Sequence, residues 1–246
     1  MEPEIKIKFL NWDSDFFGYK IGALKINPEF SALSVSEIVQ SAREAGYKLV
    51  YVSSAGNNCI LNETQTARYH LLPVDEKITY TLPIKKKTAL PPLAPAIQKY
   101  PATLPNSSLI NLALQSGVYS RFALDPHFKN QEYEKLYTHW ITRIVKNEML
   151  QEVWVYTNAE KDIAGFITVG FAPEEAFVGL LAVNQNTRRK NIGYALMETA
   201  YSRAAQEKKM NLRVTTQKAN LPACQLYEKA GFVLSHTEYV YHLWLP

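Results

Sequence analysis

The feature that most constrains the fold is an apolar run that leads through a basic loop into a helix. Residues 176–183 read AFVGLLAV, a pattern typical of a strand buried on both faces of a sheet. The loop NTRRK at 186–190 follows, and a helix is predicted from about residue 191 to residue 208 because apolar residues there recur at helical spacing. A chain with this succession places a helix N-terminus at the end of a buried strand.

That N-terminus is predicted to bind an anion. The first turn of a helix carries unpaired backbone N–H groups and the positive end of the helix dipole. Gly193 lets a ligand approach the backbone, and Asn191 is of the non-glycine type that best tolerates a positive φ. A solvated basic surface is the alternative interpretation of the RRK run at 188–190.

Hydrophobic periodicity and proline content predict two α/β parts. Residues 83–105 hold six of the 13 prolines, which interrupts regular structure. We therefore predict domains at 1–95 and 96–246. In the first, strands are predicted at 5–10, 21–26, 48–54 and 77–84, and helices at 34–46 and 61–72. In the stretch WDSDFFGY at 12–19 a strand and turn with buried Trp12 and Phe16 are expected.

The second part is predicted to alternate helices and strands. Helices are expected at 106–117, 131–149 and 221–229, besides the one that begins at about residue 191. Strands are expected at 152–158, 162–171, 176–183 and 212–217, with two closing strands at 232–238 and 240–245. A homodimer is compatible with this pattern if the closing strands expose an edge.

Composition excludes several classes of function. The net charge is only +4 and no nucleic-acid motif accompanies the short basic runs, so no nucleic-acid partner is expected. No apolar run approaches the length of about 18 residues that spans a bilayer, and the first residues show no signal peptide. A cytoplasmic protein without a membrane partner is expected. Cys59 and Cys224 are widely separated, read as buried hydrophobes, and predict no metal site.

Two segments of the second part carry a resemblance to a known superfamily. VNQNTRRKNIGYALM resembles the coenzyme A signature of the GCN5-related N-acetyltransferases (GNAT), with Arg188 in its first position, Asn191 in place of the first Gly, and Gly193 in the last. NLPACQLYEKAGF resembles the second signature, in which an Asn opens a helix and a Tyr precedes EKAGF. The resemblance implies an α/β (α+β) GNAT fold with a mixed, mostly antiparallel sheet and a catalytic C-terminal domain.

The resemblance also implies roles for individual residues, with acetyl-CoA or another acyl-CoA as co-substrate. Backbone N–H groups at 189–194 would hold the pyrophosphate, the strand end at 181–183 would pair with the pantetheine, and an N–H near Ala182 would stabilise the oxyanion. The implied coenzyme-binding residues are Leu181, Ala182, Val183, Arg188, Arg189, Lys190, Asn191, Ile192, Gly193, Tyr194, Ala195, Asn220 and Tyr227.

Tyr227 matches the position that protonates the departing thiolate in many members of the superfamily. A phenol has a pKa of about 10 and a thiol about 8.5, so the transfer is unfavourable by only about 1.5 pKa units and needs little tuning. A core aromatic at helical spacing is the alternative interpretation of Tyr227. Neither cysteine is placed as an acyl carrier, which favours direct attack by the acceptor amine.

Segments of both parts are similar to bacterial sugar-nucleotide N-acyltransferases of the dTDP-fucosamine acetyltransferase type. FLNWDSDFFGYKIGAL resembles their N-terminal motif, and YSRFALDPHF with YEKLYTHWI resembles their acceptor segment. The resemblance implies a smaller, degenerate GNAT-like N-terminal domain at the acceptor site. It also implies acceptor contacts from Ser120, Arg121, Phe122, Tyr133 and Trp140, where a surface salt bridge is the alternative for Arg121.

The acceptor amine must lose a proton, so a base or a water chain is required. Asp75 matches an acidic position of these relatives and is the predicted base, with Glu76, Asp125, His127 and His236 as alternatives.

The function expected from this resemblance is transfer of an acetyl or short hydroxyacyl group to the amine of a dTDP-amino-dideoxy sugar, for a surface glycan. The alternatives are a protein or small-amine N-acetyltransferase of the same fold, and a non-catalytic coenzyme A sensor.

Overall fold

The computed structural model describes residues 5–26, 35–55, 71–85 and 94–246. Within these ranges the chain forms ten strands and seven α-helices, and its contacts group into two compact units. Two strands, β4 (Leu71–Pro83) and β10 (Val233–Trp244), contribute residues to both units.

The first unit comprises Met1–Ile78 and His236–Pro246. Its strands follow the order β1-β2-β3-β10-β4, with β2 parallel to β3 and β10 antiparallel to β3. Val39 and Ala42 of α2 pack against Val50 and Leu243 in its core. Besides its parts of β4 and β10, its described elements are β1 (Lys8–Phe9), α1 (Asn11–Phe17), β2 (Ile21–Ile26), α2 (Val35–Glu44) and β3 (Leu49–Ala55).

The second unit comprises Thr79–Ser235 and has the strand order β4-β9-β8-β7-β6-β5. From β5 to β8 each strand is antiparallel to the next, and β8 is parallel to β9. Its further elements are β5 (Ile97–Lys99), α3 (Ser107–Ser116), α4 (Arg121–Leu124), α5 (Glu132–Val145), β6 (Gln151–Thr157), β7 (Ile163–Phe171), β8 (Glu175–Val183), α6 (Ile192–Gln206), β9 (Asn211–Gln217) and α7 (Leu221–Lys229).

Local sequence explains where the helices of the second unit begin. The side chain of Asn106 accepts the Leu109 N–H at 2.9 Å and caps α3, as Asn220 caps α7 through Ala223. Helices α3 and α5 then bury an apolar face against β6, β7 and β8. The predicted α/β class and the mixed, mostly antiparallel sheet are confirmed.

Residues 11–17 form a helix, so the predicted strand and turn at this place is wrong. Ser14 fixes the helix because its hydroxyl donates to Leu10 O at 2.7 Å and accepts the Ile21 N–H at 2.9 Å. Helical spacing stacks Trp12 on Phe16 with ring centroids 5.0 Å apart. The sequence predicted that both rings are buried, but neither is, and Trp12 is 39% exposed.

Three further expectations differ from the structure. The two closing strands are one continuous strand, β10, and the strand predicted at 5–10 is reduced to Lys8–Phe9. The helix predicted at 61–72 lies outside the described residues, except that Leu71 belongs to β4. Cys59 and most of the basic run at 85–87 also lie outside them, whereas Cys224 is buried as expected.

The chain leaves the first unit after Ile78, and residues 236–246 belong to the first unit again, whereas the sequence placed the division between residues 95 and 96. The assignment of 1–95 to a degenerate GNAT-like domain stays a prediction. Over the described residues, no helix combines the length and the apolarity that crossing a lipid bilayer requires.

Candidate active site

Strands β8 and β9 pair along only part of their length. The pairing runs from Glu175 with Asn211 to Val178 with Val214 and then ends. Beyond it, residues 179–183 and 215–217 both line a cleft of about 710 Å³. The two strands therefore separate, and one edge of β8 faces the cleft, where an extended ligand can pair with it.

Backbone hydrogen bonds decide which amides face the cleft. The Asn184 N–H is donated to Ala164 O of β7 at 2.8 Å, and alternate amides along a strand point to the same edge. The Ala182 N–H therefore faces β7, and the N–H groups of Leu181 and Val183 face the cleft. The oxyanion donor was predicted near Ala182, and the amides beside Ala182 that face the cleft are those of Leu181 and Val183; the donor role itself stays a prediction.

A β-bulge lies in β8 at the point where the strands separate. The register of β7 and β8 shifts between Ile167 and Val169, so that Gly179 and Leu180 together face Thr168. Two residues against one is the definition of a bulge, which bends the strand and increases its local twist. The bulge accounts for the departure of β8 from β9.

A buried polar network holds this bulge. The Thr168 hydroxyl, which is fully buried, accepts the Leu180 N–H at 2.8 Å and donates to Gln151 Oε1 at 3.0 Å. A Cβ atom at Gly179 would lie 2.4 Å from Gln151 Oε1 and 2.7 Å from Thr168 Oγ1. Only glycine fits at residue 179 while the network is in place.

Helix α6 begins beside the exposed edge of β8. Its N-cap residue, Asn191, has a φ of 58° and a ψ of 12°. This is the left-handed conformation that the sequence predicted for Asn191. Arg189 also has a positive φ, of 63°. The first helical hydrogen bond joins the Ala195 N–H to Asn191 O at 3.0 Å, so the N–H groups at 192–194 have no helical acceptor.

The cleft brings most of the predicted coenzyme residues together. Lys190 is exposed and Ala195 half-buried, and neither lines the cleft. The predicted residues that do line it are Leu181, Ala182, Val183, Arg188, Arg189, Asn191, Ile192, Gly193, Tyr194, Asn220 and Tyr227.

A bulged strand, a separated neighbour and a helix N-terminus within one cleft point to a known family. Residues 116–232 match the acetyltransferase (GNAT) family. This part of the chain belongs to the GNAT family. The GNAT segment includes β8, the start of α6 and Tyr227, and it leaves the first unit outside the match.

Two relatives of known name share parts of this sequence. Spore coat polysaccharide biosynthesis protein SpsD of Bacillus subtilis (strain 168) is 24% identical over 137 residues, which are 56% of this chain and 47% of SpsD. Streptothricin acetyltransferase of Escherichia coli is 37% identical over 54 residues, which are 22% of this chain and 31% of that enzyme. The matches thus cover less than half of either relative.

Solved structures share the GNAT fold at low sequence identity. A conserved protein of unknown function from Staphylococcus epidermidis aligns with 100% of this chain and 93% of its own at a TM-score of 0.66 and 12% identity. A GCN5-related N-acetyltransferase from Sphaerobacter thermophilus aligns with 89% of this chain and 72% of its own, at a TM-score of 0.52 and 14% identity. A tandem GNAT protein from the clavulanic acid biosynthesis pathway aligns with 84% of this chain and 67% of its own, at a TM-score of 0.51 and 12% identity.

Tyr227 lies on α7 of the GNAT segment, in the wall of the cleft, with only 5% of its surface exposed. Its hydroxyl makes no hydrogen bond within the described part of the chain, so a ligand in the cleft can bond to it. Burial raises the pKa of this phenol well above its ordinary value, and the nearby Cys224 adds to the rise. Complete proton transfer to a thiolate is therefore less favourable than the comparison of free groups indicated.

The other titratable groups around Tyr227 are directed elsewhere. Tyr80 packs edge-on against Tyr227 at 5.9 Å between ring centroids and donates its hydroxyl to Glu228 Oε1 at 2.8 Å. Cys224 does not line the cleft, and burial raises the pKa of its thiol. A protonated, buried thiol is a poor nucleophile, which agrees with direct transfer rather than an acyl-cysteine intermediate.

The predicted acceptor residues form an aromatic cluster beside the cleft and do not line it. Phe122 of α4 meets Trp140 of α5 edge-on at 6.3 Å, and the Arg121 guanidinium lies 4.5 Å from the Phe122 ring centroid. Ser120 is buried just before α4, and Tyr133 donates its hydroxyl to Leu114 O. Their contacts with an acceptor stay a prediction.

Sequence reasoning missed the cluster residue that does line the cleft, Tyr137. Tyr133, Tyr137 and Trp140 recur at helical spacing, so the pattern that selected two of them also contained the third. Gln115 was also missed. Its place in the lining of the cleft depends on how the elements pack together, for which a local pattern carries no signal.

Asp75, the predicted base, is half-buried on β4 and belongs to the first unit. Among the alternatives, Asp125 is 2% exposed, accepts the His127 backbone N–H at 2.9 Å, and lies 2.8 Å from His127 Nδ1. This contact fixes the orientation of the His127 ring and leaves its Nε2 directed away from Asp125.

Proposed function

We propose that the protein is an acyl-CoA-dependent N-acyltransferase whose acceptor is the amine of a dTDP-linked 3- or 4-amino-dideoxyhexose. The observation that carries the proposal is the gap between β8 and β9, with the start of α6 beside it. The GNAT match to residues 116–232 supports transfer of an acyl group, and the name of SpsD supports a role in surface-glycan biosynthesis.

The residues around the gap fit coenzyme A. The cleft-facing amides of Leu181 and Val183 suit an added strand, which is how pantetheine amides would pair. The free N–H groups at 192–194 and the Arg188 and Arg189 side chains suit its phosphates. Acyl-CoA, when bound, supplies the thioester that is cleaved.

The amine attacks the thioester carbonyl, a C–N bond forms and the C–S bond breaks. The Leu181 N–H stabilises the negative charge that develops on the carbonyl oxygen. The Tyr227 hydroxyl donates a hydrogen bond, and then a proton, to the departing sulfur. Because its pKa is raised, Tyr227 stays protonated wherever the amine is neutral enough to attack.

The charge of the cleft favours an acceptor that carries anionic groups. Among the described residues that line it there is no Asp or Glu, whereas Arg188, Arg189 and Lys229 are cationic. A polycationic amine would meet no compensating carboxylate there, whereas the phosphates of a nucleotide-linked sugar would meet no carboxylate that repels them. Asp75 is proposed as the group that receives the amine proton, directly or through water.

Thiol release from acyl-CoA tests the proposal. Acetyl-CoA and 3-hydroxybutyryl-CoA are each offered with dTDP-amino-dideoxy sugars, with free amino sugars and with peptides. We expect turnover with the dTDP-linked amines and kcat/KM values for the free sugars lower by about tenfold or more, because the diphosphate contacts are lost. Equal values for free and dTDP-linked sugars would contradict the proposed acceptor.

A second candidate is a small-amine acetyltransferase, which the 54-residue match to streptothricin acetyltransferase favours. This second function would be supported if simple amines without a nucleotide are the best acceptors in the same assay. The hypothesis of a coenzyme A sensor would be supported instead if acetyl-CoA binds tightly while no amine gives turnover.

A further inference from the structure

The cleft reaches both faces of the GNAT sheet. Helices α3 and α5 pack on the face that carries Val153 and Phe166. On the other face, a Cβ atom at Gly165 would meet Ile192 and Leu196 of α6 at 3.1 and 3.2 Å. Adjacent residues of a strand point to opposite faces, so α6 lies across the sheet from α3 and α5. Residues of both groups line the cleft.

The cleft residues on the side of α3 and α5 form what we call the α3 wall. It consists of Gln115, Ser116, Val118, Tyr119 and Tyr137. All five are uncharged, whereas the cationic residues Arg188 and Arg189 precede α6. The wall therefore offers hydrogen bonds and apolar surface, and the opposite end of the cleft offers positive charge.

Gln115 carries the polar feature of the α3 wall. Its Oε1 atom is buried and accepts no hydrogen bond from any residue in the described ranges. A buried acceptor without a donor costs free energy comparable to that of a lost hydrogen bond, so buried polar atoms in proteins are almost always paired. Because Gln115 lines the cleft, a ligand bound there can supply the missing donor.

Tyr137 provides a fixed aromatic surface beside Gln115. A Cβ atom at Gly117 would lie 2.2 Å from Cζ of the Tyr137 ring, so glycine is what lets the ring lie there. The rings of Tyr133 and Trp140 support it, each with its centroid 5.0 Å away. An acceptor with one apolar face and polar edges suits such a surface.

We propose that the α3 wall binds the acceptor, with Gln115 Oε1 accepting a hydrogen bond from a hydroxyl or amine of a pyranose ring and Tyr137 covering the apolar face of that ring. This inference rests on the proposed function and specifies its acceptor class. A peptide acceptor bound as an extended strand would need backbone partners, which these five side chains do not supply.

Substitution of Gln115 tests the inference. Gln115→Leu keeps the size of the side chain but removes the acceptor, and we expect the KM for the dTDP-amino sugar to rise about tenfold or more. The KM for acetyl-CoA should change by less than about twofold, since that substrate is held at the other end of the cleft. Gln115→Glu restores the acceptor oxygen and should recover part of the loss.

Gln98→Leu is the matched control, because Gln98 is exposed on β5 and does not line the cleft. It should leave both KM values at those of the unaltered protein. Turnover by the unaltered protein together with an unchanged acceptor KM in Gln115→Leu overturns this inference alone. Absence of turnover with every amino sugar overturns the proposed function, and this inference with it.

Discussion

The hydroxyl of Thr168 accepts the backbone N–H of Leu180, and the two residues thereby fix the bulge at which β8 leaves β9. At the bulge the strand ladder lacks a carbonyl acceptor for this N–H, and the buried Thr168 oxygen takes its place. The edge of β8 that faces the cleft is therefore set by a side chain two strands from β9.

Removing this hydroxyl should weaken coenzyme binding. Thr168→Val has nearly the same shape but leaves the Leu180 N–H and Gln151 Oε1 without their shared partner. We expect the KM for acetyl-CoA to rise about tenfold and kcat to fall, with Thr168→Ser close to the unaltered protein. Steady-state kinetics of the two variants provide the measurement.

Thr199→Val is the control for Thr168→Val. The Thr199 hydroxyl is equally buried but donates only to Ala195 O of its own helix, at 2.9 Å. It should leave the KM for acetyl-CoA unaltered. If both valine variants behave alike, the network does not position the strand edge.

The left-handed conformation of Asn191 predicts the outcome of two substitutions. Asn191→Gly should preserve the KM for acyl-CoA, because glycine adopts this φ without strain. Asn191→Val should raise it about tenfold, because a β-branched residue resists this conformation and distorts the start of α6. Equal KM values for the two variants would show that the loop does not hold the coenzyme.

Asn147 provides the matched control for Asn191. It has a φ of 59° and is exposed beyond the end of α5, away from the cleft lining. Asn147→Val should lower stability without changing the KM for acyl-CoA, which separates backbone strain from coenzyme binding.

The raised pKa of Tyr227 makes a prediction about pH dependence. The phenol stays protonated above its ordinary pKa of about 10, so its deprotonation should cause no fall in kcat between about pH 7 and pH 10.

Tyr227→Phe should lower kcat by about a hundredfold with little change in the KM for acetyl-CoA. Tyr80→Phe is the control, since the Tyr80 hydroxyl bonds to Glu228 and Tyr80 does not line the cleft. A similar loss of kcat in Tyr80→Phe and Tyr227→Phe would refute the specific acid role.

Asp75→Asn tests the proposed base. If Asp75 receives the amine proton, the variant should lower kcat by about a hundredfold and remove the acidic limb of the pH profile. His127→Gln provides the comparison, because His127 is the ring held by Asp125. An unchanged rate and pH profile in Asp75→Asn would exclude this role for Asp75.

The ion pair of Glu152 predicts how stability depends on pH. Burial alone would raise the pKa of Glu152, but hydrogen bonds from Arg203 and Trp154 outweigh it and lower the pKa. A carboxylate with a lowered folded-state pKa stabilises the protein above its unfolded pKa of about 4.3 and loses that contribution as the pH falls through the folded value. Glu152→Gln should lower the free energy of unfolding by about 1 to 3 kcal/mol at pH 7, with a smaller difference below about pH 4.

Urea unfolding of both proteins across this pH range measures the effect. Glu148→Gln is the control, because Glu148 pairs with Arg143 on the surface, where an ion pair contributes about 1 kcal/mol or less. Equal destabilisation by the two substitutions would contradict the role given to Glu152.

The sequence predicted the elements whose periodicity is long and regular. Strand β8 and helix α6 are within one or two residues of their expected bounds, and Asn191 has the expected backbone conformation. Helix α1 was missed because seven residues with two acids and three aromatics show neither period clearly. Its formation depends on Ser14, whose hydroxyl joins residues from both ends of the segment.

The candidate site was predictable where a local motif defines it and unpredictable where packing defines it. Residues 188–193 could be placed from the strand, loop and helix order alone. Thr168 and Gln151 meet only because β6 and β7 pair, and Tyr137 is fixed by the absence of a side chain at Gly117. No local pattern of residues contains such relationships.

A cleft that passes from one face of the sheet to the other has a consequence for the order of events. If coenzyme A occupies the α6 side and the sugar occupies the α3 wall, the free thiol and the acylated sugar each have an exit of their own. Neither product then blocks the departure of the other, so the geometry imposes no compulsory sequence of release.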